Sequence, residues 1–103
     1  MTQTGALPFR KMNGLGNDFV VLDGRSHAVS MDDRRARAIA DRKTGIGCDQ
    51  IIILEKSGIA DVRMLVWNSG GGQVESCGNA ARCIADMLFD ENKTTSATID
   101  TLG

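Results

Sequence analysis

The residues with the clearest chemical potential are Cys77 and its neighbours Gly78 and Asn79, which follow a glycine-rich stretch and precede an apolar helical pattern. The first N–H groups of a helix have no intrahelical partner, and the positive end of the helix dipole favours an anion. A thiolate of Cys77 would be stabilised there. The same N–H groups can hold a carboxylate, or the carbanion that forms when its α-proton leaves. Taken alone, the position also fits a small apolar residue that merely precedes a helix.

Amide side chains form the second candidate group. Asn17, Gln50, Asn68 and Asn79 all occur at predicted turns or strand ends. An amide offers a donor and an acceptor without charge, which suits a ligand that carries both an ammonium and a carboxylate. Each asparagine taken singly in a glycine-rich turn is usually explained by bonds to the backbone. The set therefore indicates an amino-acid site only if the fold brings its members together.

The other thiols and the single histidine do not indicate a metal or a second reactive centre. Cys48 and Cys83 have no helix terminus or basic partner nearby in the sequence, so we expect both to be packed in the core. A zinc site needs three or four closely spaced ligands, and His27 stands in a polar loop where we expect it to be solvated. We therefore expect no bound metal. Three cysteines without a secretory signal favour free thiols over disulfides.

Composition and motifs exclude several partners. A net charge of -1 and 4% aromatic residues provide neither a basic patch nor a stacking surface for nucleic acid. No apolar run approaches the roughly 20 residues of a membrane span, and the N-terminus lacks the regions of a signal peptide, so we expect no membrane partner and a cytoplasmic location. Gly70–Gly72 lacks the Lys-Ser/Thr ending of a P-loop, and Gly14-x-Gly16 lacks the third glycine of a dinucleotide fingerprint.

The elements that must position these residues fit one α+β domain of 103 residues. A chain of this size holds one core, so a site between two lobes would need its other wall from elsewhere. We expect the first two strands to form a hairpin around Asn13–Asp18, and the third and fourth strands to be adjacent. The predicted strands are 7–12, 19–23, 50–54, 62–67, 73–76 and 97–102.

Two helices are predicted, and they differ in character. The first begins at Ser30 as the cap, has acidic residues in its first turn, carries Arg42 and Lys43 in its last turn and ends at Gly45. Most of its surface is charged and should face solvent. The second, 78–89, is apolar nearly all the way round, which is typical of a central helix enclosed by other elements.

Several motifs, in order along the chain, resemble the N-terminal half of diaminopimelate epimerase. These are Phe9–Val21, Arg42–Gln50, the Trp67-Asn68 pair and Glu75–Cys83, and together they span nearly the whole sequence. Two positions depart from the family pattern. Asn13 stands where many relatives have His, and Ser69-Gly70 replaces an acidic residue before glycine, which leaves the geometry of the Asn68 loop open.

The resemblance implies a fold and a reaction. The fold would be α+β, with a curved, antiparallel-rich sheet wrapped around a central helix, as one of two similar lobes. The reaction would be the cofactor-independent epimerisation of LL-2,6-diaminopimelate to the meso form, for lysine and peptidoglycan synthesis, with one cysteine removing a proton while another delivers one. By matching positions, Cys77 would be one catalytic cysteine, and the substrate-binding residues would be Asn17, Gln50, Asn68, Gly78 and Asn79.

The second catalytic cysteine belongs to the family's C-terminal lobe, which we expect to be absent from residues 1–103. We therefore expect the isolated chain to be largely inactive. Two other interpretations remain open from the sequence. A homodimer could imitate the two lobes by placing Cys77 of each chain across one cleft. Alternatively, the chain could be a non-catalytic module that binds an amino acid or pairs with a separate lobe. A related racemase of the same fold fits the motifs less well.

Overall fold

A computed structural model describes residues 8–75 and 77–101 of the protein, and within them the chain forms six strands and two helices. The element order is β1 (Arg10–Gly14), β2 (Asn17–Asp23), α1 (Asp33–Ala40), β3 (Gln50–Glu55), β4 (Val62–Asn68), β5 (Gln73–Val74), α2 (Gly78–Asn92) and β6 (Ile99–Asp100).

The strands build a mixed sheet that is mostly antiparallel. Its order is β1-β2-β3-β4-β5, and β6 also pairs with β4. The pairs β1–β2, β3–β4 and β4–β5 are antiparallel, which confirms the predicted hairpin and the adjacent middle strands. The strands β2 and β3 are parallel because the chain crosses over through α1 between them. The short strand β6 also runs parallel to β4.

The hairpin between β1 and β2 is tighter than the predicted six-residue turn. Strand pairing continues to Gly14 and Asn17, so that only Leu15 and Gly16 form the turn. Both turn residues have positive φ, 50° and 91°, as a two-residue hairpin with right-handed strand twist requires. Asn17 therefore begins a strand, and its position is fixed by the sheet.

Side chains alternate between the two faces of the sheet, and each face packs on one helix. Phe19, Val21, Ile52 and Leu54 face α2, and Val20, Leu22, Ile51 and Ile53 face α1. The α2 side chains in the core are Ala80, Cys83, Ile84, Met87 and Leu88, whereas Arg82 and Asp86 are exposed. The predicted α+β class with an antiparallel-rich sheet and a packed helix is confirmed.

Helix α1 starts later than predicted. Its N-cap is Asp32, whose Oδ1 accepts the Arg35 N–H at 2.8 Å, so the prediction of Ser30 as the cap is wrong. A carboxylate and a hydroxyl two residues apart are both good caps, and the choice is made where the backbone becomes helical. The Ser30 carbonyl instead accepts a bond from the Arg35 guanidinium at 2.6 Å.

Helix α1 also ends earlier than predicted, at Ala40 rather than next to Gly45. The Asp41 carboxylate accepts the N–H groups of Lys43 at 2.8 Å and Thr44 at 3.1 Å, and this turn replaces further helical bonds. Arg42 and Lys43 therefore lie in a turn, not in the last helical turn. As a result, Arg42 reaches the start of β2.

The remaining boundaries move by a few residues. The sixth predicted strand is reduced to Ile99–Asp100 and the fifth to Gln73–Val74. Helix α2 runs on to Asn92 and ends where Lys93 takes a left-handed conformation at φ 57°. The predicted strand positions Leu7, Ser76 and Leu102 lie outside the described residues. Within those residues, neither helix has the length and apolar content needed to cross a bilayer.

Candidate functional site

Three sheet strands and helix α2 meet at one end of the sheet, and each brings one amide residue there. Asn17 is the first residue of β2, Gln50 is the first of β3, and Asn68 is the last of β4. Because β2 and β3 are parallel and β4 is antiparallel to β3, these ends share one edge. Gln50 lies between the other two strand ends, because it pairs with Phe19 of β2 on one side and with Asn68 of β4 on the other.

The amide side chains at this edge lie on the face that packs against α2. Phe19 and Val66 belong to the core beneath α2, and residues two positions apart in a strand share a face. Asn17, Gln50 and Asn68 are therefore on the same side as the start of α2. The fold brings together the residues that the sequence scattered over more than fifty positions.

The four amides form two hydrogen-bonded pairs. Asn79 Nδ2 donates to Asn17 Oδ1 at 2.8 Å, and Gln50 Nε2 donates to Asn68 Oδ1 at 3.1 Å. All four side chains are half-buried. Within the part of the chain that the structure describes, Gln50 Oε1 and Asn68 Nδ2 have no hydrogen-bond partner. One acceptor and one donor group of the second pair are thus available for a ligand.

Cys77 is the N-cap residue of α2, in extended conformation at φ −148° and ψ 118°. Its carbonyl accepts the Ala81 N–H at 2.9 Å, so the N–H groups of Gly78 and Asn79 precede the first helical bond. The Cys77 side chain makes no cap hydrogen bond, and no acidic residue stands in the first turn of α2. Cys77 is half-buried and Gly78 is exposed. The arrangement favours an anion at the start of α2.

Close approach of the β1 backbone places this helix end beside Asn17. A Cβ atom on Gly14 would lie 2.8 Å from the Sγ of Cys83 and 3.4 Å from the carbonyl oxygen of Asn79. Gly14 pairs with Asn17 in the hairpin. The absence of a side chain at Gly14 therefore lets the first turns of α2 pack directly on β1, the strand that pairs with the one holding Asn17.

The other two cysteines are core residues, as predicted. Cys48 is 2% exposed and Cys83 is 5% exposed. Burial raises the pKa of both thiols, and for Cys83 the nearby Asp86 carboxylate raises the pKa further. Both side chains are therefore protonated thiols at neutral pH.

His27 is exposed, as predicted, and residues 8–75 and 77–101 contain no group of side chains that could hold a metal ion.

Comparison with known proteins assigns the chain to a family. The family model "Diaminopimelate epimerase" matches residues 9–103. This chain belongs to the diaminopimelate epimerase family. The diaminopimelate epimerase of Rhizorhabdus wittichii is 60% identical over 81 residues, which cover 78% of this chain and 30% of that protein. The diaminopimelate epimerase of Erythrobacter litoralis is 53% identical over 96 residues, which cover 92% of this chain and 34% of that protein.

The chain spans about a third of the length of the curated diaminopimelate epimerases that it matches, between 30% and 35%. A solved structure, the phenazine biosynthesis protein of the PhzF family from Bacillus anthracis, superimposes with a TM-score of 0.58. It covers 90% of this chain and 31% of that one at 18% identity, so the likeness concerns the fold alone.

Three charged residues lie at this end of the sheet that the sequence analysis did not predict as site residues. Asp18 and Asp49 each lie next to one of the amides, and Arg42 contacts both carboxylates. The signal that could have found them is the adjacency itself. Asn17-Asp18 and Asp49-Gln50 each join a carboxylate to an amide at the start of a strand.

Proposed function

We propose that residues 1–103 form the N-terminal lobe of a diaminopimelate epimerase, a cytoplasmic enzyme that converts LL-2,6-diaminopimelate to the meso form for lysine and peptidoglycan synthesis. The observation that carries this proposal is the position of Cys77 as the N-cap residue of α2, whose second residue Asn79 binds Asn17, on the side of the sheet that also carries the Gln50–Asn68 pair. The membership of the family supports the same reaction.

The proposed role of Cys77 is to exchange the α-proton of the substrate. An α-proton beside an ionised carboxylate is a very weak acid, so the base must be within hydrogen-bond reach while donors stabilise the developing charge. The N–H groups of Gly78 and Asn79 are those donors in our proposal. One helix start would therefore supply both the base and the stabilisation of the carbanion. No cofactor takes part in the proposed reaction.

Inversion also requires an acid on the opposite face of the α-carbon. Cys48 and Cys83 do not suit this role, because both are buried thiols whose pKa is raised by burial. The acid would be a second cysteine, carried by a C-terminal lobe that closes over the substrate. Lobe closure would also exclude water and strengthen the thiolate as a base. The isolated chain should therefore lack substantial epimerase activity.

The amides would hold the amino and carboxylate groups at the reacting carbon. Gln50 Oε1 is an available acceptor for the ammonium, and Asn68 Nδ2 is an available donor for the carboxylate. Asn17 contributes by fixing Asn79 through the 2.8 Å bond. Uncharged amides suit a substrate whose ammonium and carboxylate charges cancel at the reacting carbon.

The test is α-proton exchange in D₂O with LL-diaminopimelate, in two proteins. One is the 103-residue chain, and the other is this chain joined to the C-terminal remainder of the Rhizorhabdus wittichii relative, here called the two-lobed fusion. We expect exchange by the fusion, its loss in the Cys77→Ala fusion, and its retention in Cys48→Ala. Fusion activity that survives Cys77→Ala would refute the role of the thiol.

The same assay distinguishes the alternatives. Exchange by the 103-residue chain alone that is lost in Cys77→Ala, together with a dimer in sedimentation, would replace the two-lobe proposal with the homodimer. Calorimetric binding of meso-diaminopimelate by a monomer, with no exchange in the fusion, would replace it with a non-catalytic amino-acid-binding module. A monomeric chain without exchange, beside an active fusion, is the result that we expect.

A further inference from the structure

Asp18 and Asp49 exchange backbone hydrogen bonds through their side chains. The Asp18 N–H donates to Asp49 Oδ2 at 3.0 Å, and the Asp49 N–H donates to Asp18 Oδ1 at 2.9 Å. The Asp49 N–H also lies 3.0 Å from the Asp18 carbonyl oxygen. These bonds join the start of β2 to the residue before β3, across 31 positions of sequence. They fix the relative position of Asn17 and Gln50, the neighbours of the two aspartates.

Two cations balance the two carboxylates. Arg42 binds Asp18 through both terminal nitrogens, at 2.9 and 2.8 Å, and reaches Asp49 Oδ1 at 3.2 Å. Lys11 Nζ donates to Asp18 Oδ2 at 2.9 Å and also to the Gly47 carbonyl. Arg42 first and Lys11 second hold the pKa of Asp18 well below its ordinary value, so the carboxylate is charged at neutral pH. A bidentate pair of this kind gives geometric precision as well as energy.

The Asp49 carboxylate also dictates which way the Asn17 amide points. Asn17 Nδ2 faces Asp49 Oδ2 at 3.5 Å, and Asn17 Oδ1 accepts the bond from Asn79. A charged carboxylate can only accept hydrogen bonds. A flipped Asn17 amide would place its oxygen against the carboxylate and its nitrogen against the Asn79 nitrogen. Both contacts would be repulsive, so the carboxylate selects one of the two amide orientations.

The network does not itself face the candidate ligand position. Asp18 lies between Asn17 and Phe19, and adjacent residues of a strand point to opposite faces. Phe19 packs under α2, so Asp18 is on the α1 side of the sheet, together with the turn that carries Arg42. The Asp18 side chain therefore lies on the opposite face of the sheet from the amide side chains.

We infer that Asp49, held by Asp18 and Arg42, is a positioning residue that fixes the Asn17 amide and, through Asn79, the start of α2 for the substrate. This inference deepens the proposed function and rests on it for the identity of the ligand. The geometric part concerns the protein without ligand and can be tested separately.

The first measurement is NMR of the side-chain NH₂ groups in the ¹⁵N-labelled 103-residue chain without ligand. Asp49→Asn keeps the side-chain shape and an acceptor for the Asp18 N–H but removes the charge that selects the Asn17 orientation. We expect altered Asn17 and Asn79 NH₂ signals, with hydrogen exchange at Asn79 Nδ2 at least about tenfold faster than in the wild type. Unchanged signals at both residues would overturn the inference, whatever the function of the protein.

A matched control comes from the other end of β2. Asp23 pairs with Arg25 at 2.7 Å, and Arg25 also binds Glu91 at 3.0 Å. Asp23→Asn therefore removes a comparable carboxylate–guanidinium pair far from the amides and should leave the Asn17 and Asn79 signals unchanged. If Asp49→Asn does not fold, Arg42→Gln changes an exposed side chain and should shift the same two signals. The absence of a shift in that variant would likewise overturn the inference.

The second measurement is a double-mutant cycle on LL-diaminopimelate binding to the chain, with the dissociation constant read from NMR shifts. We expect Asp49→Asn to weaken binding about tenfold in the wild type and to have no further effect in the Asn17→Ala background. Equal effects in both backgrounds would show a merely structural role and overturn the inference. If neither the wild-type chain nor the two-lobed fusion binds LL-diaminopimelate, the proposed function is wrong. The NH₂ signals of Asn17 and Asn79 still test the positioning role of Asp49 in that case.

Discussion

The two helices of this protein use their N-termini in opposite ways. At the start of α1, Asp32 accepts the Arg35 N–H at 2.8 Å, and Asp33 adds a carboxylate in the first turn that also accepts the Gly72 N–H at 2.9 Å. At the start of α2, Cys77 makes no side-chain cap bond, and the first turn has no acidic residue. The positive end of α1 is neutralised by carboxylates of its cap and first turn, whereas neither the N-cap side chain nor the first turn of α2 supplies one.

The missing cap bond of Cys77 lowers the stability of the first turn of α2. Replacing a good N-cap by a residue that does not cap costs about 1 kcal/mol. Helix α2 compensates through packing, because Ile84 and Leu88 are almost completely buried against the sheet. Helix α1 is short and has only Ala36 and Ala40 buried, so it depends more on its cap. The helix with the larger core can leave its first N–H groups for a ligand.

Cys77→Ser tests this contrast most strongly. A serine hydroxyl is a good N-cap but a very poor base at neutral pH. In the two-lobed fusion we expect α-proton exchange to fall by about 10²- to 10⁴-fold. The free energy of unfolding should stay unchanged or rise by up to about 1 kcal/mol.

Exchange in D₂O and urea unfolding measure the two effects on one sample. A Cys77→Ser protein that loses stability and activity together would show that the thiol is a packing residue. That result would remove the contrast between the two helix starts.

Thiol alkylation measures the same contrast without substrate. Cys77 is half-buried at a helix start, whereas Cys48 and Cys83 are buried and have a raised pKa. Buried thiols react only through opening of the fold, so we expect iodoacetamide to modify Cys77 on the order of 10²-fold faster than the other two. Mass spectrometry of the native chain should show one modification, and the unfolded chain should show three. Equal rates at Cys77 and Cys83 in the native protein would contradict the proposed environment of Cys77.

Gly14→Ala tests the packing that holds the start of α2. The new Cβ would stand 2.8 Å from Cys83 Sγ and 3.4 Å from the Asn79 carbonyl oxygen, so the helix start must move or the strand must shift. We expect a loss of about 1–3 kcal/mol in the free energy of unfolding. Fluorescence of Trp67, the single tryptophan, reports urea unfolding.

Gly58→Ala is the matched control for this change, because nothing lies within 4 Å of its added Cβ. Adding Cys83→Ala to Gly14→Ala should recover part of the loss, since it removes the sulfur that the methyl group meets. An equal loss at Gly58 would mean that contact with α2 does not determine the effect.

The sequence predicts much of the site because its chemistry is local. The start of α2 at Gly78 follows from the change from glycine-rich to apolar residues, and the amides stand at strand ends that β-branched runs delimit. The start of α1 is not determined locally, because Ser30 and Asp32 are both suitable caps. Its end depends on the Asp41 side chain, which competes with the helical bonds by binding the Lys43 N–H.

The charged network behind the amides could not be predicted in the same way. Asp18 and Asp49 meet only because β2 and β3 pair in parallel, and that pairing requires the crossover through α1. Arg42 reaches them only because α1 ends at Ala40. Each of these contacts depends on another tertiary contact. The local sequence pattern therefore does not predict them.

Asp32→Ala is the complementary test of the comparison and has the smallest expected effect. Loss of the cap should lower the free energy of unfolding by about 1 kcal/mol, and Asp32→Ser should restore most of it because the hydroxyl also caps. Exchange by the two-lobed fusion should be unchanged in both variants, since the Asp32 carboxylate binds the Arg35 N–H within α1 itself. A fusion that loses activity with the cap would show that the start of α1 also supports the reaction. The division between one helix start for stability and one for chemistry would then be wrong.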